Sequence, residues 1–332
     1  MIRPFGKYLF FLRLSGRLAA KAVRTRLLGT ITPDVLVIEL TAACNLHCRA
    51  CYISKSESPR KLPRDLVLRL LSESEAIGIP HVSFSGGEPL LEAETILHCL
   101  AKFPGTSFSI ATNGFLLRRE LVDRLAGFPN VQVILSTDGP DASARFRHPD
   151  APRRFAEAAA LLGNAGIRHG SSTRVYRENI GEVASPAFLS LLSDTGCSFA
   201  AFSPLLPYDG SSGDLTPLTT DERKQLDHFC LEARKRPSLE IIAPCLDPGP
   251  CAGGGRILSV TPAGAILPCP HIAWSCHRFP KHSLKEALES AFFTALRDSG
   301  GKRDRTPCLL LDHPTSLQEL LIRHPEAGIP SE

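Results

Sequence analysis

Between residues 34 and 205 a short apolar run and a helical-period segment follow one another six times, and this alternation constrains the fold more tightly than any other feature. Apolar runs at 35–40, 81–85, 107–111, 131–135, 170–175 and 198–202 read as strands. Apolar residues at three- and four-residue spacing predict helices over 62–77, 90–103, 118–126 and 154–165. Strands separated by helices pair in parallel, with the helices outside. The predicted class is therefore α/β, and six units give a partial (β/α)6 TIM-like barrel, open on one side. Four motifs follow the ends of the first four strands: Cys44, Cys48 and Cys51; Gly86-Gly87-Glu88-Pro89; Thr112-Asn113-Gly114; and Ser136-Thr137-Asp138-Gly139. Ordinary turn residues fall at both ends of strands. Here all four groups collect at the C-terminal rim, where parallel α/β folds build their sites.

The chain of 332 residues is 43% hydrophobic and 22% charged, enough apolar surface for a core and far from a disordered composition. No apolar run approaches the ~18–20 residues of a membrane span. A formal charge of +4 is too small to indicate nucleic acid, and none is expected as a partner. The charge is uneven, however. Residues 1–33 hold Arg3, Lys7, Arg13, Arg17, Lys21, Arg24 and Arg26 and no acid. Phe10 or Phe11, Leu14, Leu18 and Ala22 recur at helical spacing opposite them. This basic amphipathic helix has two readings: packed on the body of the protein with a solvated basic face, or lying on an anionic membrane surface. With no export signal, the expected compartment is the reducing cytoplasm, peripheral at the inner membrane face if the helix docks there. In that compartment clustered cysteines mean metal or catalysis rather than disulfides.

Cys44-x3-Cys48-x2-Cys51 places three thiols within eight residues. Structural zinc takes four protein ligands, so three thiolates suit better a [4Fe–4S] cluster with one iron open to a small molecule. Tyr52 follows, an aromatic able to pack beside whatever binds. These cysteines, Tyr52, the Gly-Gly-Glu-Pro of 86–89, the Thr-Asn-Gly of 112–114 and the Ser-Thr-Asp-Gly of 136–139 resemble the radical S-adenosylmethionine (radical SAM) enzymes over roughly residues 34–205. The resemblance implies that Cys44, Cys48 and Cys51 ligate the cluster and that S-adenosylmethionine chelates its open iron. It implies that Gly86, Gly87 and Glu88 bind the methionyl amino group, Glu88 by accepting from the ammonium. Asn113 and Ser136 lie where the ribose and carboxylate would sit. Asp138 has a turn-forming alternative beside Gly139, and Arg174 on the fifth strand's rim is a candidate partner for the carboxylate. Reductive cleavage would then give a 5′-deoxyadenosyl radical that abstracts hydrogen from a substrate, the electron coming from a flavodoxin or ferredoxin.

From about residue 204 the pattern changes to a Pro- and Gly-rich stretch, a helix over 220–235 and a second group of cysteines. Cys245-x5-Cys251-Ala-Gly-Gly precedes apolar runs around the turn at 261–264, which read as a β-hairpin ending at Cys269. This segment resembles the SPASM or twitch extension of radical SAM enzymes, which implies an auxiliary [4Fe–4S] cluster. The longer form needs further closely spaced cysteines that this chain lacks, so one auxiliary cluster is expected, on Cys245, Cys251, Cys269 and Cys308. Cys276 is the rival for the last ligand, and a helix over 284–296 is expected before Cys308. Cys99, Cys197 and Cys230 read as core packing, and His271 and His277 as exposed, with substitution as cluster ligands the alternative. The division expected is 1–33 N-terminal helix, 34–215 barrel, 216–240 linker helix and 241–332 auxiliary domain. Only 33 residues precede the first strand, too few for the leader-binding domain of many peptide-modifying relatives. The expected activity is therefore oxidation or rearrangement of a small or lipid-soluble molecule. Peptide modification is the alternative, and an Fe–S electron carrier without radical chemistry the third reading.

Overall fold

The computed structural model describes residues 31–49, 51, 61–206, 215–236, 238–243, 253–300, 308 and 314–328, with Ser15, Gly16 and Ala19 besides. The remainder of the N-terminal helix reading, and Tyr52, Cys245 and Cys251, lie outside the described residues. All six expected strands form: β1 (Val35–Thr41), β2 (His81–Gly86), β3 (Ser107–Thr112), β4 (Val131–Thr137), β5 (His169–Val175) and β6 (Phe199–Pro204). The helices on their outer side are α1 (Arg64–Ile77), α2 (Ala93–Lys102), α3 (Arg119–Leu125), α4 (Pro140–Phe146), α5 (Ala151–Asn164), α6 (Ile180–Val183) and α7 (Pro186–Asp194). A 3-10 turn, Pro89–Glu92, leads into α2. Each strand pairs in parallel with the next.

Burial alternates most regularly in β4, while β1, β3 and β5 carry consecutive buried residues as strands covered on both faces do. Along β4, Val131, Val133, Leu135 and Thr137 are buried against the helices while Gln132, Ile134 and Ser136 are half-buried on the other face. One continuous apolar core, from Leu36 and Ile38 through Phe84, Phe108 and Val133 to Leu162 and Phe202, fills the space between sheet and helices. The rings of Phe84 and Phe108 stack across neighbouring strands at 5.5 Å and 8°. Burying each contributes about 1.5–3 kcal/mol. In α1, Val67, Leu70 and Leu71 form the buried stripe that the period promised.

Past β6 the sheet continues. α8 (Thr220–Ala233) begins with a capping box in which Thr219 and Glu222 satisfy each other's backbone N–H, and β7 (Glu240–Ile242) then adds a parallel strand beside β6. β8 (Ile257–Val260) and β9 (Ile266–Leu267) form the expected hairpin, but β8 also pairs in parallel with β1 at the opposite edge. The result is one sheet of nine strands, in the order β7-β6-β5-β4-β3-β2-β1-β8-β9. Arg256 fixes the junction, its Nε donating to Asp34 Oδ2 at 2.8 Å across 222 residues of chain. Strand β7 is too short, and the β8–β1 pairing too remote in sequence, to read from periodicity.

The helix expected over 284–296 is two helices, α9 (Leu284–Glu289) and α10 (Ala291–Gly300). Ser290 stands between them with an extended backbone (ψ 153°). Its hydroxyl donates to Ala287 O at 2.7 Å and accepts from Phe293 N at 3.3 Å, closing one helix and opening the next. A last helix, α11 (Pro314–Arg323), packs Leu317 and Leu320 against Ile272 and Leu296. Among the described residues no helix is long and apolar enough to cross a membrane.

Candidate active site

The loop after β1 carries Cys44, Cys48 and Cys51, all half-buried, and no described cysteine is in a disulfide. The loop turns on itself where Cys51 N donates to Cys48 O at 3.2 Å, and Leu46 N donates to Cys44 Sγ at 3.4 Å. Burial pushes the Cys44 thiol up, opposed by that N–H and reinforced by Glu88 and Cys51. Burial likewise pushes Cys48 up to about 11 against the pull of Arg147, with Cys51 and Cys44 adding to the rise. The three thiols thus lie close enough to feel one another. Among the described residues no three His, Cys, Asp or Glu side chains close around a single metal ion. Three soft thiolates on one loop are the donor chemistry that a cluster with an open iron asks for.

Gly86 and Gly87 hold this loop by close backbone contact. A Cβ on Gly87 would stand 2.2 Å from Ala43 O, and one on Gly86, at φ +124°, 2.4 Å from Thr41 O. The space those glycines leave is filled by the strand-to-cysteine turn itself, with Gly87 N on Thr41 O at 2.7 Å and Glu88 N on Ala43 O at 2.9 Å.

Glu88 is fully buried. Its Oε1 accepts from Leu90 N (3.0 Å) and Thr112 Oγ1 (2.8 Å), and its Oε2 from Asn113 N (2.9 Å). The side chain therefore ties the Gly-Gly-Glu-Pro turn to the Thr-Asn-Gly turn of the next strand. Burial pushes its pKa up while the three donors pull it down. The resemblance assigns this carboxylate to a ligand ammonium; in the structure it also accepts from three protein donors. Asn113, freed to face the loop, donates from Nδ2 to Asn45 Oδ1 at 2.9 Å and approaches Cys44 Sγ at 3.9 Å.

Asp138 does more than shape a turn. Its carboxylate grips Arg147 through two hydrogen bonds, Nε–Oδ2 at 2.7 Å and Nη2–Oδ1 at 2.8 Å, with both side chains largely buried. Burial works against the Arg147 charge, but Asp138 more than restores it and holds the guanidinium's pKa above its usual value. That fixed cation is the one that favours the Cys48 thiolate. Tyr176 Oη adds a contact to Asp138 Oδ2 at 3.5 Å. Asn179 Nδ2 donates to Asp138 O (3.0 Å) and Arg174 O (2.8 Å), stitching the β4 and β5 rims together. Arg147, Tyr176 and Asn179 escaped the sequence reading, because each acts through a partner on another turn and none sits in a recognisable motif.

Ser136 and Arg174 lie on one patch. Ser136 pairs with Ser172 across β4–β5, and Arg174 pairs with Ser203 across β5–β6. All four are half-buried on the face turned away from the helices. Arg174 makes no ion pair among the described residues. Burial, and then the Arg174 charge, lower the His271 imidazole to about 3, and His271 is half-buried rather than exposed. His271 N in turn donates to Cys269 Sγ at 3.5 Å. Cys269 packs with Ile272, Leu296 and Leu317, and Gly254 N donates to Pro268 O at 2.8 Å. Cys276 Sγ lies 3.0 Å from His277 Nδ1, and Cys308 is half-buried between α10 and α11.

A rim of three thiols, a carboxylate-stitched glycine turn and a polar patch at the C-terminal ends of parallel strands is matched by a family model, that of the radical SAM superfamily, over residues 38–183. The chain carries a radical SAM domain. It is similar to the AdoMet-dependent heme synthase of Methanosarcina barkeri, 24% identical over 306 residues, which cover 81% of this chain and 86% of that protein. It is similar also to the PqqA peptide cyclase of Bradyrhizobium diazoefficiens, 26% identical over 261 residues, 71% of this chain and 66% of the cyclase. The chain thus spans just under two thirds of the cyclase's length. Its fold is that of Streptococcus suis SuiB, solved with its precursor peptide SuiA, at a TM-score of 0.68 over 83% of this chain and 69% of SuiB, with 15% identity. The radical SAM enzyme binds a [4Fe–4S] cluster and S-adenosylmethionine. The comparisons do not favour the small-molecule expectation, since PqqA cyclase and SuiB are a peptide cyclase and a peptide-bound protein.

Proposed function

We propose that the chain is a peptide-modifying radical SAM enzyme that removes a hydrogen atom from a peptide held over the barrel mouth. The observation that carries this reading is the open side of the sheet. Strand β7 ends one edge and β9 the other, and the two do not pair among the described residues. An extended chain can therefore approach the cysteine loop sideways, without threading a closed ring. The fold likeness to SuiB with its bound peptide supports the same reading.

Cys44, Cys48 and Cys51 would hold the cluster, which when bound supplies the electron that splits the sulfonium of S-adenosylmethionine and so yields the hydrogen-abstracting adenosyl fragment. Around it the chain's own groups orient and enclose. Glu88 and Asp138 lock the rim turns and so fix where Asn113 and Ser136 present an amide and a hydroxyl to the ribose and carboxylate. Gly86 and Gly87 keep the cysteine loop against β2. Arg174, which makes no ion pair among the described residues, offers its guanidinium to a carboxylate at the mouth. Cys245, Cys251, Cys269 and Cys308 would hold an auxiliary [4Fe–4S] cluster in a C-terminal module over 241–332, facing the barrel of 34–215.

The test is substrate-dependent release of 5′-deoxyadenosine from reconstituted, reduced protein supplied with low-mass fractions of its host's extract. Stimulation that a protease destroys, with loss of hydrogen from a recovered peptide by mass spectrometry, is the expected result. Stimulation that survives the protease returns the substrate to the small-molecule class. One observation favours that second reading: the heme synthase is the relative whose length this chain spans most fully among those described above, at 86%. The basic segment 1–33 is proposed to lie on anionic membrane, motivated by its seven cations and no acid. Equal sedimentation of the full chain and a chain lacking 1–30 with anionic liposomes would refute it.

A further inference from the structure

The cysteine loop is flanked, on the outside of the barrel, by a face of arginines that the chemistry at the rim does not use. A groove of about 190 Å3 runs between α3 and α5, lined by Gly114, Leu117, Arg118, Arg119, Arg154 and Glu157. Arg118 and Arg119 are exposed and make no ion pair among the described residues. Arg154 shares Glu157 with Arg153 and lies over the Phe115 ring at 5.8 Å. Its Nε is buried with no hydrogen-bond partner. The Phe115 ring in turn meets His148 edge-on at 5.1 Å. Beyond them Phe146 carries two more guanidinium groups, Arg145 at 5.0 Å and Arg49 at 5.8 Å from its centroid.

This face is wired to the cysteines at both ends by short contacts. Arg49, within the Cys44–Cys51 loop, donates its N–H to Phe146 O at 3.0 Å. At the other end Asn113, whose Nδ2 stands 3.9 Å from Cys44 Sγ, is followed directly by the groove residue Gly114. Glu157 and Asp150 pair with Arg153 and part of Arg154, whereas Arg118, Arg119 and Arg145 form no ion pair among the described residues, with Glu120, Asp123 and Asp141 the exposed acids on the same helices. Arg145 and Arg154, already held over aromatic rings, lose less freedom when a carboxylate arrives than free side chains do.

We propose that this arginine face is the docking surface for a small acidic electron carrier of the flavodoxin class. The inference rests on the radical SAM reading and names the partner that the same site needs. An electron crosses only a short gap, so its donor must dock against the loop that holds the cluster, and clustered arginines steer and orient an acidic surface there. The donor's anionic flavin hydroquinone gives up one electron and leaves as the neutral semiquinone; that electron passes to the cluster held by Cys44, Cys48 and Cys51. No proton or further reductant is required. The barrel mouth, on the inner side of the sheet, stays open to substrate while the carrier is bound.

The test pairs binding with turnover. The Arg118→Glu/Arg119→Glu double variant and the milder Arg118→Gln/Arg119→Gln are compared with the parent chain, each checked for an unchanged circular dichroism spectrum. The probe is a fluorescently labelled acidic flavodoxin, with anisotropy read at low and high salt. We expect the reversed variant to bind at least about tenfold more weakly at low salt, the neutral variant less so, and the gap to close as salt screens the charges. Release of 5′-deoxyadenosine driven by reduced flavodoxin should fall in parallel, while release driven by dithionite stays at the parent level. Unchanged flavodoxin binding overturns the proposal. Equal loss with dithionite also overturns it, because Arg118 and Arg119 would then serve the site itself. Absence of dithionite-driven release from the parent chain strikes instead at the radical SAM reading.

Discussion

Glu88 accepts three protein hydrogen bonds at zero exposure, and that geometry sets what its removal does. In a Glu88→Gln variant one oxygen becomes an NH2 group, which must face either Asn113 N–H or the Leu90 N–H and Thr112 hydroxyl. A donor turned on a donor in a buried site costs about 1–3 kcal/mol. We expect a lowered denaturation midpoint in the protein without cluster or ligand, where a residue serving only a ligand ammonium would leave stability untouched. His81 carries a second residue-scale prediction. Its Nδ1 and Nε2 lie 3.0 and 2.9 Å from the hydroxyls of Ser107 and Ser109, and burial lowers its pKa to about 4. An unfolded histidine titrates near 6.5, so between about 6.5 and 4 the unfolded chain binds the proton and the folded one does not. The contribution is fully present above about pH 6.5 and is lost as pH falls, by up to about 3 kcal/mol. Denaturation at pH 7.5 and 5 should show that slope in the parent chain and a smaller one in His81→Gln. Equal slopes would mean that the imidazole is not held neutral.

At the scale of elements, the turn after β2 holds the turn after β1. Adding one methyl at Gly87 drives it into Ala43 O, and the backbone cannot yield without breaking the Gly87 N–Thr41 O and Glu88 N–Ala43 O bonds. The Gly87→Ala variant should therefore lose bound iron after reconstitution, to well below the parent's content, while its strands still form. Retained iron would show that the cysteine loop is independent of the glycine turn. Most of the barrel was legible in the sequence because each buried strand has its own period and each motif sits beside its own strand. The cysteines, the glycine turn, Asn113, Ser136 and Arg174 could be assigned to strand ends in this way. What was not legible depends on contacts between distant turns. That Thr112 and Asn113 donate to the oxygens of Glu88 has no signal in its sequence neighbourhood. Asp138 looks like a turn residue until Arg147, nine residues on, is seen in its grip. Ser290 looks like one more helical residue until its hydroxyl is found serving two helices at once.

For the whole molecule, the decisive feature is that one sheet joins the barrel and the C-terminal hairpin. Pairing of β8 with β1 and the Arg256–Asp34 bridge join the hairpin that ends at Cys269 to the strand that leads into the first cysteine group. Local periodicity carries no trace of a pairing between residues 35–38 and 257–260. The account rests on the first cysteine group holding a cluster beside which S-adenosylmethionine is split. Its most direct test is 5′-deoxyadenosine released by the anaerobically reconstituted, dithionite-reduced protein, set against the variant with Cys44, Cys48 and Cys51 all changed to Ala. The account predicts release by the parent chain and none by the triple variant, whose iron should fall by about one cluster. Release by the triple variant, or a fully iron-loaded parent that forms none, would contradict it.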